Sequence, residues 1–143
     1  MITEESYGQY IRDFNAICAG GGMGFSDFFD KYYEADAVFE YVPAAKKNSG
    51  KAEAIAFWEG VSEIMEEKIL PHTQFVASET CVASEAPIDF LCKRDLEWVG
   101  VSHKAGSTFR LLMAAFYDVS PNNKFSYVHV YSIYHPDYQP KSS

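Results

Sequence analysis

From the seventh residue the apolar side chains fall at Tyr7, Tyr10, Ile11, Phe14, Ile17 and Cys18, the three-and-four spacing of one helix face. Thr3 stands at the N-cap position, and Glu4 and Glu5 follow it at the positive end of the helix dipole. The run Gly20-Gly21-Gly22 stops the pattern. Ser26 and Asp27 open a second, short helix carrying Phe28, Phe29, Tyr32 and Tyr33. Residues 37–42 have a strand's composition and are closed by Pro43 and a polar turn at 46–50. Helical spacing resumes from Ala52 to about Glu67 through Ile55, Trp58, Val61 and Met65.

From Ile69 the period changes. Ile88, Phe90, Cys92, Leu96 and Trp98 alternate with Asp89, Lys93, Asp95 and Glu97, the pattern of a sheet with one covered face. A further strand is predicted from about Thr108 to Asp118. Ser120-Pro121-Asn122-Asn123 turns the chain into a last strand over 124–134. Three helices and a short strand followed by a long antiparallel meander predict an α+β fold with the helices on one side of the sheet. The expectation is one domain over 1–143, with a flexible tail at 136–143 that holds Pro136 and Pro140.

Composition adds two things. Aromatic residues make up 16% of the chain, more than a core of this size needs, so the surplus is expected in a cavity or an interface. A net charge of −8 argues against nucleic acid, which requires a concentrated Lys/Arg surface. No apolar run approaches the roughly 18–20 residues of a membrane span. The acidic N-terminus does not read as a secretory signal. Cys18, Cys81 and Cys92 form no CxxC pair and read as small buried hydrophobes, which suits a reducing cytoplasm.

Four residues stand out for chemistry. His72 heads the segment His72-Thr73-Gln74-Phe75-Val76; it is either a proton carrier or a strand-end imidazole sharing its ring with solvent. His129 lies mid-strand between Tyr127 and Tyr131, as part of a polar cluster in a pocket or as a satisfied core histidine. Arg110 interrupts the apolar run 109–116, where it either binds a substrate oxygen or pairs with Asp95 or Glu97. Arg94 carries the same ambiguity. The histidines show no HxH or HExxH spacing, and Gly20 to Gly24 follows a helix rather than a strand. Neither a metal, a phosphate loop nor a cofactor is expected.

The element order, and the run from Phe29 to Tyr41 (FDKYYEADAVFEY) in particular, resembles the nuclear-transport-factor-2-like superfamily and its SnoaL-like branch. In that resemblance the run matches the family's second helix, its Tyr-x-x-Asp-Ala turn and its first strand, and the strand through Tyr131 matches its last. The resemblance implies a cone-shaped, curved mixed or antiparallel sheet whose concave face and three N-terminal helices enclose a pocket. It places Ala37, Phe39 and Tyr41 inside on the first strand, and Phe125, Tyr127, His129, Tyr131 and Ile133 inside on the last. It sets Tyr41 where dehydratase-like relatives polarise a substrate carbonyl, and His72 near the strand that carries their proton-transfer histidine. The carboxylates of the family's isomerases, dehydratases and cyclases have no counterpart at the aligned positions.

The resulting expectation is a cofactor-independent lyase, of dehydratase or C–C-cleaving type, acting on a small aromatic or polycyclic compound. His72 and His129 would carry protons and Tyr41 would hold an oxygen, with Arg110, Tyr127, Tyr131, Phe39 and Trp58 contacting substrate. An isomerase or cyclase using the same pocket, or a non-catalytic binding module, are the alternatives. A homodimer formed through the outer sheet face is expected from the resemblance.

Overall fold

The computed structural model describes residues 1–135 and 137. The tail expected at 136–143 therefore lies, Asp137 apart, outside the described residues. The chain runs α1 (Glu4–Cys18), α2 (Phe25–Tyr32), β1 (Tyr33–Tyr41), β2 (Lys46–Ser49), α3 (Lys51–Ile64), β3 (Met65–Ile69), β4 (Gln74–Ala77), β5 (Cys81–Cys92), β6 (Leu96–Trp98), β7 (Val101–His103), β8 (Thr108–Val119) and β9 (Phe125–Tyr134). A seven-stranded sheet in the order β2-β1-β9-β8-β5-β3 includes β4, which pairs with β5 beyond β3. β1 and β9 are parallel and the other pairs antiparallel, so the sheet is mixed.

Helix α1 begins on a reciprocal cap. Thr3 Oγ1 accepts the Ser6 N–H at 3.1 Å, and Ser6 Oγ accepts the Thr3 N–H at 2.9 Å. Its predicted stripe is the buried one: Tyr7, Tyr10, Ile11 and Phe14 pack with Phe28, Phe29 and Trp58 against the concave side of the sheet. Phe28 is fully buried at the meeting point of the helices, with its ring beside those of Tyr10, Phe14 and Trp58. A smaller core of Met65, Ile88, Phe90, Phe109 and Leu111 fills the other end.

Four elements differ from the sequence expectation in their bounds or pairing. α3 stops at Ile64, and residues 65–69 form an edge strand paired with 88–92 of β5; no Gly or Pro marks that change, and pairing with β5 overrides helix propensity. Tyr33 opens β1 instead of closing α2. Lys46–Ser49, expected as a turn, pairs with 38–41 as an edge strand. Leu96–Trp98 leaves the main sheet and forms a hairpin with Val101–His103, turning on Val99 (φ 47°) and Gly100 (φ 80°) as a tight two-residue loop requires.

The decisive difference is a bulge. Phe125 pairs with Val119 and Tyr127 with Asp118, so β9 spends one extra residue, Ser126, where β8 spends none. Since strand side chains alternate with period two, one inserted residue exchanges the faces of everything after it. Phe125 is inside as expected, but Val128 and Val130 follow it inside, and Tyr127, His129, Tyr131 and Ile133 move to the convex face. The inward set Tyr127, His129, Tyr131 and Ile133 is corrected on this ground.

Truncating Phe28 to Ala should cost about 3–5 kcal/mol of folding free energy, because the rings around it cannot collapse into the gap. Denaturant unfolding of the purified variant measures it, and a loss below about 1 kcal/mol would contradict this account of the core.

Candidate functional site

Between the concave face of the sheet and the three helices lies a cavity of about 100 Å³. A water needs roughly 10–15 Å³ of such space, so the cavity holds several waters or a compound about one ring in size. Phe39 and Tyr41 reach it from β1, Trp58 from α3, Tyr7 and Tyr10 from α1 and Tyr117 from β8. Three of the expected residues, Tyr41, Phe39 and Trp58, thus line the cavity.

Most of its polar groups satisfy one another. The Tyr7 hydroxyl lies 2.7 Å from Ser84 Oγ and 3.0 Å from the Tyr117 hydroxyl, and the Tyr10 and Tyr33 hydroxyls are 2.6 Å apart. Burial raises the pKa of each of these phenols, so they are neutral hydrogen-bond donors at physiological pH. Tyr41 forms a second group. The Trp98 indole N–H donates to its hydroxyl at 3.2 Å, and Ser132 Oγ lies 2.7 Å away. With the indole donating to it, the Tyr41 hydroxyl keeps its own proton for Ser132 or for a ligand oxygen. Burial raises its pKa as well.

Trp98 is held from behind. The Tyr134 hydroxyl donates to its carbonyl at 2.7 Å, and His103 Nε2 meets that hydroxyl at 2.8 Å. His103 stacks on Phe109 with centroids 4.0 Å apart, and burial lowers its pKa, which favours neutral imidazole.

Glu67 is the residue the sequence reading missed. It sits on β3 opposite Phe90 and points into the cavity. No Lys, Arg or His lines the cavity among the described residues, and none of the described groups donates a hydrogen bond to its carboxyl. Glu67 is partly buried, on the face of β3 that lines the cavity. That burial alone pushes its pKa up to about 7. Asn15 fixes the strand two residues away: its Nδ2 donates to the Ile69 carbonyl and its Oδ1 accepts the Ile69 N–H, both at 2.8 Å, so α1 pairs with the free edge of β3 as a strand would. Reading 65–69 as a strand makes Glu67 visible at once, as an acid sharing the face of Met65 and Ile69; the helical spacing expected up to about Glu67 did not single it out.

The remaining expected residues lie elsewhere. His129 is on the convex face, stacked on Phe116 at 5.3 Å with Tyr131 set across its edge. Tyr127, also outside, donates to Glu40 at 2.6 Å. Arg110, on the same outer face, donates through Nε and Nη2 to Asp89 at 2.6 and 3.0 Å. Its carboxylate is thus Asp89, its cross-strand neighbour, and neither Asp95 nor Glu97. Arg94 donates to the Glu63 carbonyl. His72 lies in the loop before β4, its Nε2 2.8 Å from Glu4 Oε1 and its ring against Tyr7 and Phe75, one ring behind the cavity wall. Among the described residues no group of three His, Cys, Asp or Glu is placed to hold a metal, and no helix is long and apolar enough to cross a membrane.

No protein-family model and no curated protein matches the chain. Solved structures do. A "putative polyketide cyclase" from Pseudomonas putida KT2440 aligns over 96% of this chain and 95% of its own at 22% identity, with a TM-score of 0.71. A "putative polyketide cyclase" from Silicibacter sp. TM1040 covers 90% and 87% at 18% identity with a TM-score of 0.70, and an NTF2-like protein from Anabaena variabilis ATCC 29413 covers the same shares at 21% identity with a TM-score of 0.65. The chain therefore has the NTF2-like fold: α+β, with three helices on a strongly curled mixed sheet.

Glu67 also predicts how stability varies with pH. A carboxyl whose pKa is about 7 in the fold and near 4.5 unfolded binds more protons when folded between those values. Stability therefore falls as pH rises from about 4.5 to 7, and the loss is complete above that range. Glu67→Gln removes the penalty. It should be more stable than the parent by on the order of 2–3 kcal/mol at pH 8 and no more stable at pH 4, as unfolding curves at the two pH values will show.

Proposed function

We propose that this protein is a cofactor-independent enzyme that moves a proton within a small, mostly apolar, ring-sized compound, with Glu67 as the carrier. The observation that carries the reading is the carboxyl itself, the one acid among the described residues that line a mostly aromatic cavity, where burial pushes its pKa up to about 7. A general base works best when its pKa lies near the operating pH, and burial achieves that here without a charged neighbour. Tyr41 supports the electrophilic role: its hydroxyl can donate to a ligand carbonyl oxygen and so stabilise the charge that develops there.

The chemistry runs as follows. Glu67 takes the proton from the carbon beside that carbonyl, and the electron pair moves onto the oxygen held by Tyr41. Protonated Glu67 then returns the same proton to another atom of the compound. Delivery to carbon is an isomerisation. Delivery to a departing hydroxyl releases water and leaves a double bond, the lyase outcome. Both need one proton carrier, which is what the cavity offers, and neither asks anything of His129 on the convex face. The cavity's size favours a single ring over a polycyclic skeleton.

The convex face bears on assembly. Phe116, Tyr131 and Ile133 are 44%, 47% and 59% exposed there, beside the Arg110–Asp89 pair. A second copy of the chain would cover this apolar stripe sheet to sheet, in keeping with how strongly such patches favour association.

Two measurements test these readings. Incubating the chain in deuterated water with a panel of single-ring ketones and following exchange beside the carbonyl by NMR should show turnover that Glu67→Gln lowers by about 10²–10⁴-fold, while His129→Ala leaves it unchanged. Equal exchange by wild type and Glu67→Gln rejects Glu67 as the carrier. Light scattering at micromolar concentration should give twice the chain mass, and Tyr131→Asp should return it to one; a wild-type monomer removes the dimer.

A further inference from the structure

The cavity presents an acid without a counter-charge. Glu67 faces, from α1, Cys18, Tyr7 and Tyr10; from β1, Tyr41; from β8, Tyr117; and α3 and β5 contribute no titratable side chain to the lining. Glu66 is its neighbour on β3 and adds only negative charge, and Lys93 approaches Cys18 closely enough to act on the thiol but does not line the cavity. None of these groups is positive where it meets the carboxyl. When Glu67 ionises, no cation and no hydrogen-bond donor among the described protein groups compensates the charge, a costly arrangement for a group withdrawn from bulk water.

The walls suit the missing partner. Phe14, Phe25, Trp58 and Phe57 on the helix side and Phe90 and Trp98 on the sheet side surround the space with ring faces and edges. Aromatic faces attract cations through the ring quadrupole, most strongly where water is excluded. The chain's net charge of −8 raises the local concentration of cations around it before any contact forms.

We propose that the ligand of this cavity carries a cationic nitrogen: a small substituted ammonium ion whose apolar substituents pack against the rings and whose charge pairs with ionised Glu67. This rests on the reading that the cavity is the functional site, and it deepens that reading by naming the ligand's charge. A neutral ligand leaves the ionised carboxyl uncompensated; an anion would be repelled by it. A bound cation holds Glu67 in the ionised form at neutral pH.

Tetramethylammonium, whose charge is fixed at every pH, and tert-butanol, a neutral molecule of nearly the same shape, make the test clean. Each is titrated into the full chain from pH 5.5 to 8.5, with tryptophan fluorescence and the NMR signals of the cavity rings as readouts. Tetramethylammonium affinity should rise about 30-fold over that range, following ionisation of a group near pH 7, and level off at the upper end. The tert-butanol affinity should not rise with it. In Glu67→Gln the rise should vanish and the cation should bind no better than the alcohol.

A tetramethylammonium affinity that does not change with pH overturns the proposal, and that measurement uses only the wild-type chain. So does undiminished cation binding by a folded Glu67→Gln. Proton transfer is read separately by deuterium exchange. A chain that exchanges nothing yet binds the cation as described would sink the enzymatic reading and leave this one standing, and the reverse result would do the opposite.

Discussion

A sheet curled this tightly has a concave face that it cannot fill with its own side chains, and the fold depends on what closes it. The closing surface is the apolar stripe of α1 together with α2 and α3, and it is almost entirely aromatic. Rings cover much area for little loss of side-chain freedom, but they pack imperfectly around a curved wall, so a cavity remains beside the phenols of Tyr7, Tyr10 and Tyr41. The hydroxyl pairs Tyr7–Ser84, Tyr7–Tyr117 and Tyr10–Tyr33 tie α1 to the strands around it and to one another. Each bond removes a polar atom that would otherwise sit unsatisfied in an apolar space. The same contacts that close the core therefore shape the site.

Glu67 stands outside that economy. The phenols, Ser84 and the Trp98 indole that line the cavity each have a hydrogen-bond partner, whereas this carboxyl has none among the described residues and its pKa rises instead. A protein keeps such a group at a cost to stability, and costs of this kind concentrate where function requires them. Asn15 makes the placement firm. By pairing with both backbone atoms of Ile69 it fills the hydrogen-bonding edge of β3, so the strand carrying Glu67 is clamped between β5 and α1.

Much of the architecture was legible in the chain. The stripe from Tyr7 to Phe14, the glycine stop, the short aromatic helix and the Ser120–Asn123 turn all appear where their local chemistry puts them, and Phe39, Tyr41 and Trp58 reach the cavity that the resemblance led one to expect. What could not be read was decided by pairing between distant segments. Residues 65–69 have helical composition and become a strand because β5 offers them an edge. Ser126 has no local mark of a bulge: no glycine, no proline, only the neighbouring strand β8, which spends one residue fewer. From that single residue follows the exchange of His129, Tyr127 and Tyr131 from the concave to the convex face. Arg110 was correctly suspected of pairing, yet its partner is set by cross-strand register, which places Asp89 opposite it and Asp95 in a separate turn.

The two faces of the sheet consequently hold different chemistry. Outside, imidazole, guanidinium and phenol are stacked or paired in contact with solvent: His129 on Phe116, Arg110 on Asp89, Tyr127 on Glu40. There, water and salt weaken each charge. Inside, the lining is poorer in charge, but what it has is stronger, because low dielectric magnifies the one carboxyl and the phenol dipoles around it. Counting ionisable residues along the strands thus points to the wrong face. The more informative quantity is how few partners a buried group has, and by that measure a lone acid among aromatic rings outweighs a cluster of well-satisfied residues on the outer surface.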